Sequence, residues 1–426
     1  MTMVRTKTRI AALGGGTGLS TMLRGLKSYS DNITAIVTVT DDGGGSGVLR
    51  RELNMPPPGD IRNCIQALAN AEPAMQELLN YRFREGSLSG QSLGNLFLAA
   101  LNDMSPTFDA AVQKLSQVLA ITGQVLPVTN DDIILEARFS DGAVIRGETT
   151  ITDYKRQTDA VIERVGLDPA APAVLPAVLE AIHRAELIVL GPGSLYTSVI
   201  PNLLVPGVSD TIRASRAVKV YVMNVMTQDG ETEGYTAAHH VRALLRHGGD
   251  GLFQYVLLND RAIPAELTER YRAENAAPVV SDGSELRAMG LTPVFAPVAS
   301  WAGGLVRHDP AALANALEVT ELEVSAAADE LASDYDYHRR GICLKRFGSH
   351  IQLSTRADYA PQIEKLLQPI QKQSLSQAAL ETLAVVAYRQ PVTKLEIEAV
   401  RGVKCDYSVQ MLLNRGLIEE RGRREV

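Results

Sequence analysis

Cysteine is almost missing from this chain. Its 426 residues hold three, Cys64, Cys343 and Cys405, far apart and without a CxxC pair, which excludes a disulfide framework and a zinc site. They read as the reduced thiols of a cytoplasmic protein, with Cys64 as buried filler on a helix behind a proline loop. Aromatic residues make up only 5%, too few for a base-stacking binder of single strands. The net charge of −7 argues against a nucleic-acid-coated surface, so DNA is not an expected partner. No apolar run approaches the ~20 residues of a membrane span. The basic N-terminus lacks an apolar stretch with a cleavage site, so neither a membrane nor secretion is expected. Also missing are the GxxxxGKS/T loop of a Walker-type ATPase and any recognisable Ser, His and Asp nucleophile set. His239 and His240 read as packing or surface residues, and no catalytic residue can be assigned.

Glycine is present in quantity, 34 residues, and gathers in three telling runs. These are Leu13-Gly-Gly-Gly-Thr-Gly-Leu-Ser20, Thr38-Val-Thr-Asp-Asp-Gly-Gly-Gly-Ser46 and Leu190-Gly-Pro-Gly-Ser-Leu-Tyr-Thr197. Each follows a short apolar run and opens a helical pattern, which reads as buried strand, tight turn and helix N-terminus. Glycines let a backbone close on phosphate, and free N–H groups at a helix start point at it. A parallel sheet would gather several such loops along one crevice. The fold class expected is therefore α/β, a Rossmann-like parallel sheet with strands Arg9–Leu13, Ile33–Thr40, Leu187–Leu190, Lys219–Asn224 and Gln254–Leu258. Gln124–Pro127, Ile133–Phe139 and Ala143–Glu148, turning at Asp141-Gly142, read as a small antiparallel β insertion.

Within the crevice, Gly14, Gly15, Gly16, Thr17 and Gly18 form the first loop. It is not a full GxGxxG, since Leu19 takes the last glycine position. Asp41, Asp42 and Gly43 end the second strand, where a Rossmann acid binds ribose hydroxyls. Two adjacent acids could also hold a divalent cation through one carboxylate and waters, Asp42 as a magnesium ligand; an Asx turn is the plainer alternative. Asp60 reads as the N-cap of a helix starting at Ile61, with Arg62 as a phosphate fork and Asn63 beside it. Asn95 offers donors and an acceptor to a sugar or base. Gly191, Pro192, Gly193 and Ser194 make a second phosphate-type turn. Asn224 and Thr227, with Gln228, are uncharged hydrogen bonders suited to a nucleobase or sugar.

In this order, GGGTGLS, TVTDDGGGSG, PPPGDIRN, SLGNLFLAAL, GPGSLYTSVIPNLLVPG and NVMTQDGET resemble the gluconeogenesis-factor (YvcK) family, itself related to CofD, the 2-phospho-L-lactate transferase of deazaflavin cofactor synthesis. The resemblance covers residues 8 to about 316. It implies a UDP-sugar, UDP-N-acetylglucosamine, or another nucleotide diphosphate as ligand, and a regulatory role in carbon metabolism and cell-wall morphogenesis. Gln91 stands where that family usually has histidine. Glutamine cannot act as an acid or base at neutral pH, so a binding protein rather than an enzyme is expected. A CofD-like magnesium-dependent transferase is the alternative.

After about residue 315 the pattern changes to short amphipathic helices: Glu321–Tyr335, a hairpin of Gly341–Arg346 and His350–Thr355, then Leu375–Tyr388, Lys394–Arg401 and Asp406–Arg415. This is the grammar of two winged helices, a helix-turn-helix tail. The division expected is 1–316, 317–370 and 371–426. The tail resembles the segregation and condensation protein ScpB, which implies contact with the kleisin of an SMC complex and a second alternative, an accessory role in chromosome segregation. Its first helix reads as missing or replaced by Ala311–Leu317 and it stops at Val426, so a decayed fusion or a faulty gene boundary is expected. The assembly expected is a homo-oligomer in the cytoplasm.

Overall fold

Strands that are apolar on both faces need cover on both faces, which is the condition of a parallel sheet. Ile10-Ala-Ala-Leu-Gly14 and Leu187-Ile-Val-Leu190 meet it, every residue being buried. The structure is a computed structural model and describes residues 7–317, 331–336, 338, 340–347, 350–367 and 375–422. These form two compact units divided between Glu330 and Leu331.

The first unit is built on β1 (Ile10–Gly14), β2 (Ile33–Val37), β3 (Gln124–Pro127), β7 (Leu187–Leu190), β8 (Val218–Val222), β9 (Tyr255–Asn259) and β10 (Thr292–Ala296). Their order is β10-β9-β8-β7-β1-β2-β3, and every pair is parallel. The chain winds outward from β1 in one direction, then returns beside it at β7 and winds the other way. Right-handed crossovers therefore put the two sets of connections on opposite faces. This is the doubly wound Rossmann-like arrangement, with its switch point between β1 and β7.

The insertion is real, but its membership differs from the sequence expectation. Gln124–Pro127 belongs to the main sheet, as the edge strand paired with β2. The small antiparallel sheet is instead β4 (Ile134–Phe139), β5 (Val144–Arg146) and β6 (Ile162–Asp168), in the order β5-β4-β6. The third strand, β6, was not expected, nor was β10 in the main sheet.

Helices in chain order are α1 (Gly16–Tyr29), α2 (Gly44–Leu53), α3 (Gly59–Leu68), α4 (Pro73–Asn80), α5 (Leu93–Asp103), α6 (Phe108–Val118), α7 (Glu148–Gln157), α8 (Pro176–Arg184), α9 (Ile200–Leu204), α10 (Val208–Ala214) and α11 (Ala237–Gly248). Cys64 is fully buried on α3, as filler. His240 is buried and His239 closes a capping box with Thr236 at the start of α11. Helix Pro310–Ala316 packs against α1, where Gly25 leaves no room for a side chain beside the Pro310 carbonyl. It therefore belongs to the first unit.

In the second unit Ile342–Phe347 and His350–Thr355 pair as the antiparallel hairpin. Helices Ala360–Leu367, Gln377–Arg389, Lys394–Arg401 and Asp406–Asn414 follow. Ser376 caps the second of these and a Thr393–Glu396 capping box starts the third. Most of the helix expected over Glu321–Tyr335, and the boundary at 367–374, lie outside the described residues. Among the described residues no helix is long and apolar enough to cross a membrane.

Candidate functional site

Because β1 and β7 pair in register, Leu13 against Leu190, the loops that leave them emerge side by side. Gly191 donates its N–H to the Leu13 carbonyl at 2.8 Å, and Thr38 donates to Gly14 at 3.0 Å. The first loop, Gly14 to Gly18, then turns into α1 through Gly16, whose φ of +63° favours glycine. A side chain on Gly18 would sit 2.6 Å from the Pro192 carbonyl oxygen. Both the turn and the close approach thus require glycine, and Thr17 between them is exposed.

The second loop, Gly191 to Ser194, is held by side chains from two sides, and Asn202 ties the first loop beside it. Asn224, at the end of β8, donates to the Gly193 carbonyl at 2.8 Å and accepts from the Gly193 N–H at 3.2 Å. Ser194 donates to Gln228 at 2.8 Å. On α9, Asn202 donates to the Gly14 carbonyl at 3.0 Å and the Ser198 carbonyl at 2.8 Å. Asn224 is therefore a clasp on the loop. Thr227 is pinned away from it, its hydroxyl accepting from the Ala277 N–H at 2.9 Å.

Carboxylates dominate the electrostatics. Glu231 is buried and receives the Thr197 hydroxyl at 2.6 Å and the N–H groups of Leu195 and Tyr196. It thus fills the N-terminal end of the helical turn Leu195–Val199, where the sequence suggested a phosphate. Burial pushes its carboxyl up to about 7. Asp60 is not the N-cap of α3: Pro58 holds that position without a side-chain cap, and the helix starts at Gly59. Its carboxylate reaches instead to the first loop, accepting from Gly16 N–H. A Cβ on Gly15 would lie 2.7 Å from it. Burial, with Asp41 nearby, pushes Asp60 up to about 7.

Asp41 makes the Asx turn, accepting from the Gly43 N–H at 2.9 Å. Burial raises its carboxyl too. Asp42 accepts from the Thr149 N–H at 2.9 Å and its hydroxyl at 2.7 Å, which caps α7 from across the chain. As a magnesium ligand it would share one oxygen with that cap. Glu148, in the first turn of α7, completes the cluster. Burial and then Asp41, Asp60, Glu231 and Asp42 hold its carboxyl well above the usual range. Among the described residues no three such groups stand close enough to grip an ion unaided. Oxygen donors of this kind suit magnesium when a ligand phosphate and waters complete the shell.

Arg62 is buried, and its guanidinium donates to Asn63 at 2.8 Å, Gln66 at 3.0 Å and Asn80 at 3.4 Å. The structure thus engages it with amide oxygens of α3 and its neighbour, and it packs tightly on Gly94. Gln91 and Asn95 are buried, each with a side-chain oxygen lacking a protein partner. A Cβ on Gly45 would lie 2.9 Å from the Gln91 oxygen, so Gln91 faces the start of α2. Sequence reasoning missed Glu231, Glu148 and Asn202, because each acts on a loop more than thirty residues away (about the span from Glu231 to Thr197).

Comparison with known proteins agrees with this architecture. Residues 10–299 match the family model described as 2-phospho-L-lactate transferase CofD. Residues 306–426 match that of segregation and condensation complex subunit ScpB. A putative gluconeogenesis factor of Thermoanaerobacterium thermosulfurigenes is 52% identical over 72% of this chain and 95% of its own length. The gluconeogenesis factor of Bacillus subtilis is 48% identical over 73% and 97%. A crystal structure of a Bacillus halodurans protein superposes with a TM-score of 0.71 at 44% identity, covering 73% of this chain and 99% of the other.

Proposed function

The chain belongs to the CofD family, with gluconeogenesis factors among its relatives and an ScpB region at its C-terminal end, and from that membership we propose that its crevice binds a nucleotide-sugar, UDP-N-acetylglucosamine, as a regulatory ligand. The role is that of a gluconeogenesis factor, in carbon metabolism and cell-wall morphogenesis. The observation that carries the reading is the meeting of two glycine loops at the switch point, where a Rossmann-like sheet takes its ligand. Leu19 is buried where a dinucleotide fingerprint has its last glycine, which disfavours NAD. Gln91 supplies an unpartnered oxygen near the start of α2, and Asn95 another in the first turn of α5.

A diphosphate entering here meets Asp41, Asp60 and Glu148. A divalent cation, when bound, would offset that repulsion, and Asp41, Asp42 and Asp60 are the residues that would hold it. Thermal-shift titration with UDP-N-acetylglucosamine and with NAD, each with and without magnesium, tests the reading. A ligand of the native state alone stabilises by about 2.7 kcal/mol at a hundredfold excess over its Kd. Greater or equal stabilisation by NAD overturns it.

One observation favours a second reading. A carboxyl held near 7 can accept a proton at neutral pH, and Asp60 is such a group at the first loop. In a CofD-type transfer, an acceptor hydroxyl attacks the phosphorus of the phospholactyl group, the P–O bond to the nucleotide breaks and the nucleotide leaves, and Asp60 would take the hydroxyl proton. Sustained product from phospholactyl-guanosine-diphosphate and a deazaflavin acceptor would establish that reading; its absence leaves the regulator. The ScpB region, in the same account, contacts a kleisin subunit, and the assembly is homo-oligomeric.

A further inference from the structure

Helix α7 is tied at both ends to the carboxyl edge of the main sheet. At its start, Asp42 from the loop after β2 bonds the Thr149 N–H and hydroxyl. Gly147 just before it lies so close that a Cβ there would be 2.5 Å from the other Asp42 oxygen. Towards its end, Arg156 donates to Asp229 at 2.8 Å and Lys155 stands 3.4 Å from Glu233, both acids in the loop after β8. Between these two acids, Gly230 touches Thr152, its would-be Cβ 3.0 Å from the Thr152 carbonyl oxygen.

The sheet order between the two anchors is β8-β7-β1-β2. The helix therefore crosses above β7 and β1, the strands whose loops form the site. The tied residues Thr149 and Arg156 lie about 10 Å apart along the helix at ~1.5 Å per residue, less than three strand spacings of ~4.8 Å, so the loops after β2 and β8 lean towards each other to meet it. Glu148 is the residue the helix turns inward, set among Asp41, Asp42, Asp60 and Glu231. The ties of the far end to the loop after β8 are partly exposed ion pairs, which water can replace, while Tyr154 holds the same half of the helix to the small sheet, donating to Asp141 at 2.6 Å and packing edge-on against Phe139.

We propose that α7 is a strap over the switch-point loops, which lifts at its Asp229–Glu233 end to admit ligand and closes with Glu148 facing it. The proposal rests on the nucleotide-sugar reading for the identity of the ligand alone. Opening at that end leaves the Asp42 cap as the hinge and releases Tyr154 from Asp141 and Phe139 of the small antiparallel sheet.

The double variant Arg156→Cys with Asp229→Cys tests it in the full chain, before and after closure by a short bifunctional thiol crosslinker. Treated wild type controls for Cys343, since Cys64 and Cys405 are buried. Before crosslinking the tie is lost, and the stopped-flow association rate constant for UDP-N-acetylglucosamine should rise severalfold. After crosslinking it should fall at least tenfold below wild type. Equal rates in all three forms overturn the strap. Hydrogen exchange of the ligand-free chain gives a readout independent of ligand identity. Amides of residues 148–157 should exchange faster than those of α1, and faster still in the uncrosslinked variant. If UDP-N-acetylglucosamine does not bind but this exchange pattern appears, the ligand assignment fails and the strap stands. If α7 exchanges as slowly as α1 and ignores the variant, α7 is a fixed wall.

Discussion

Glu231 shows how much one side chain can decide. Its carboxylate sits at a helix start and binds two backbone N–H groups, yet burial still lifts it to about 7. An acid raised in the folded state favours folding below its unfolded value of 4.5 and loses that contribution as pH climbs through 7. Glutamine can keep the same bonds, its oxygen on the N–H groups and its amide on the Thr197 hydroxyl, without a charge to bury. Glu231→Gln should therefore gain on wild type by about 2–3 kcal/mol between pH 5 and pH 8, at ~1.4 kcal/mol per pH unit. Urea unfolding at the two pH values measures this, and a constant difference would remove burial as the cause. At Gly16 the argument is conformational. Its φ of +63° resists a β-branched residue, and a Cβ there would meet only ordinary van der Waals contacts, Ser198 at 3.8 Å and Asp60 at 3.9 Å. Gly16→Val should keep the far-ultraviolet circular dichroism of the fold while weakening nucleotide-sugar binding at least tenfold. The glycines were legible in the sequence because their demand is local. Asp60 and Arg62 were not: nothing nearby in the chain tells that Asp60 turns to Gly16, and although Gln66 stands four residues from Arg62 on the same helix, nothing marks that it and the more distant Asn80 take the guanidinium.

Among elements, α7 carries the clearest consequence. Asp42 caps it from the end of β2, so Asp42→Ala should destabilise the fold by about 1 kcal/mol, while Asp42→Asn, which caps nearly as well, should stay within about 0.5 kcal/mol. If Asp42 also shares a cation with the diphosphate, the asparagine variant keeps its stability and loses the magnesium response in calorimetry. An unchanged response would confine Asp42 to the cap. The element errors have a common physical cause. Gln124–Pro127 sits next in sequence to Ile134–Phe139 and reads as its neighbour, yet it pairs in parallel with β2, some ninety residues earlier. Parallel pairing leaves no turn signature, whereas the β4–β5 hairpin announces itself through Asp141-Gly142. β6 pairs with β4 across the intervening α7, so no short turn marks it either.

At the scale of the molecule, the sequence displayed the doubly wound first unit and the helical second unit, because their hydrophobic periods differ. From the sequence the first is expected to end at residue 316. The ScpB family match begins at residue 306, but Pro310–Ala316 is packed on α1, a contact nearly three hundred residues apart in sequence. The central claim is that the crevice of the first unit holds a nucleotide-sugar against two glycine loops, despite its carboxylates. Its most direct test is calorimetry of the full chain with UDP-N-acetylglucosamine, at pH 6 and pH 8, with and without magnesium. Asp60 and Glu231 lose their protons near 7, so the account predicts saturable binding of one ligand per chain, several-fold weaker at pH 8 than at pH 6 without magnesium, with magnesium restoring it. No binding under any of the four conditions would contradict the claim, as would affinity that improves with pH in the absence of the cation.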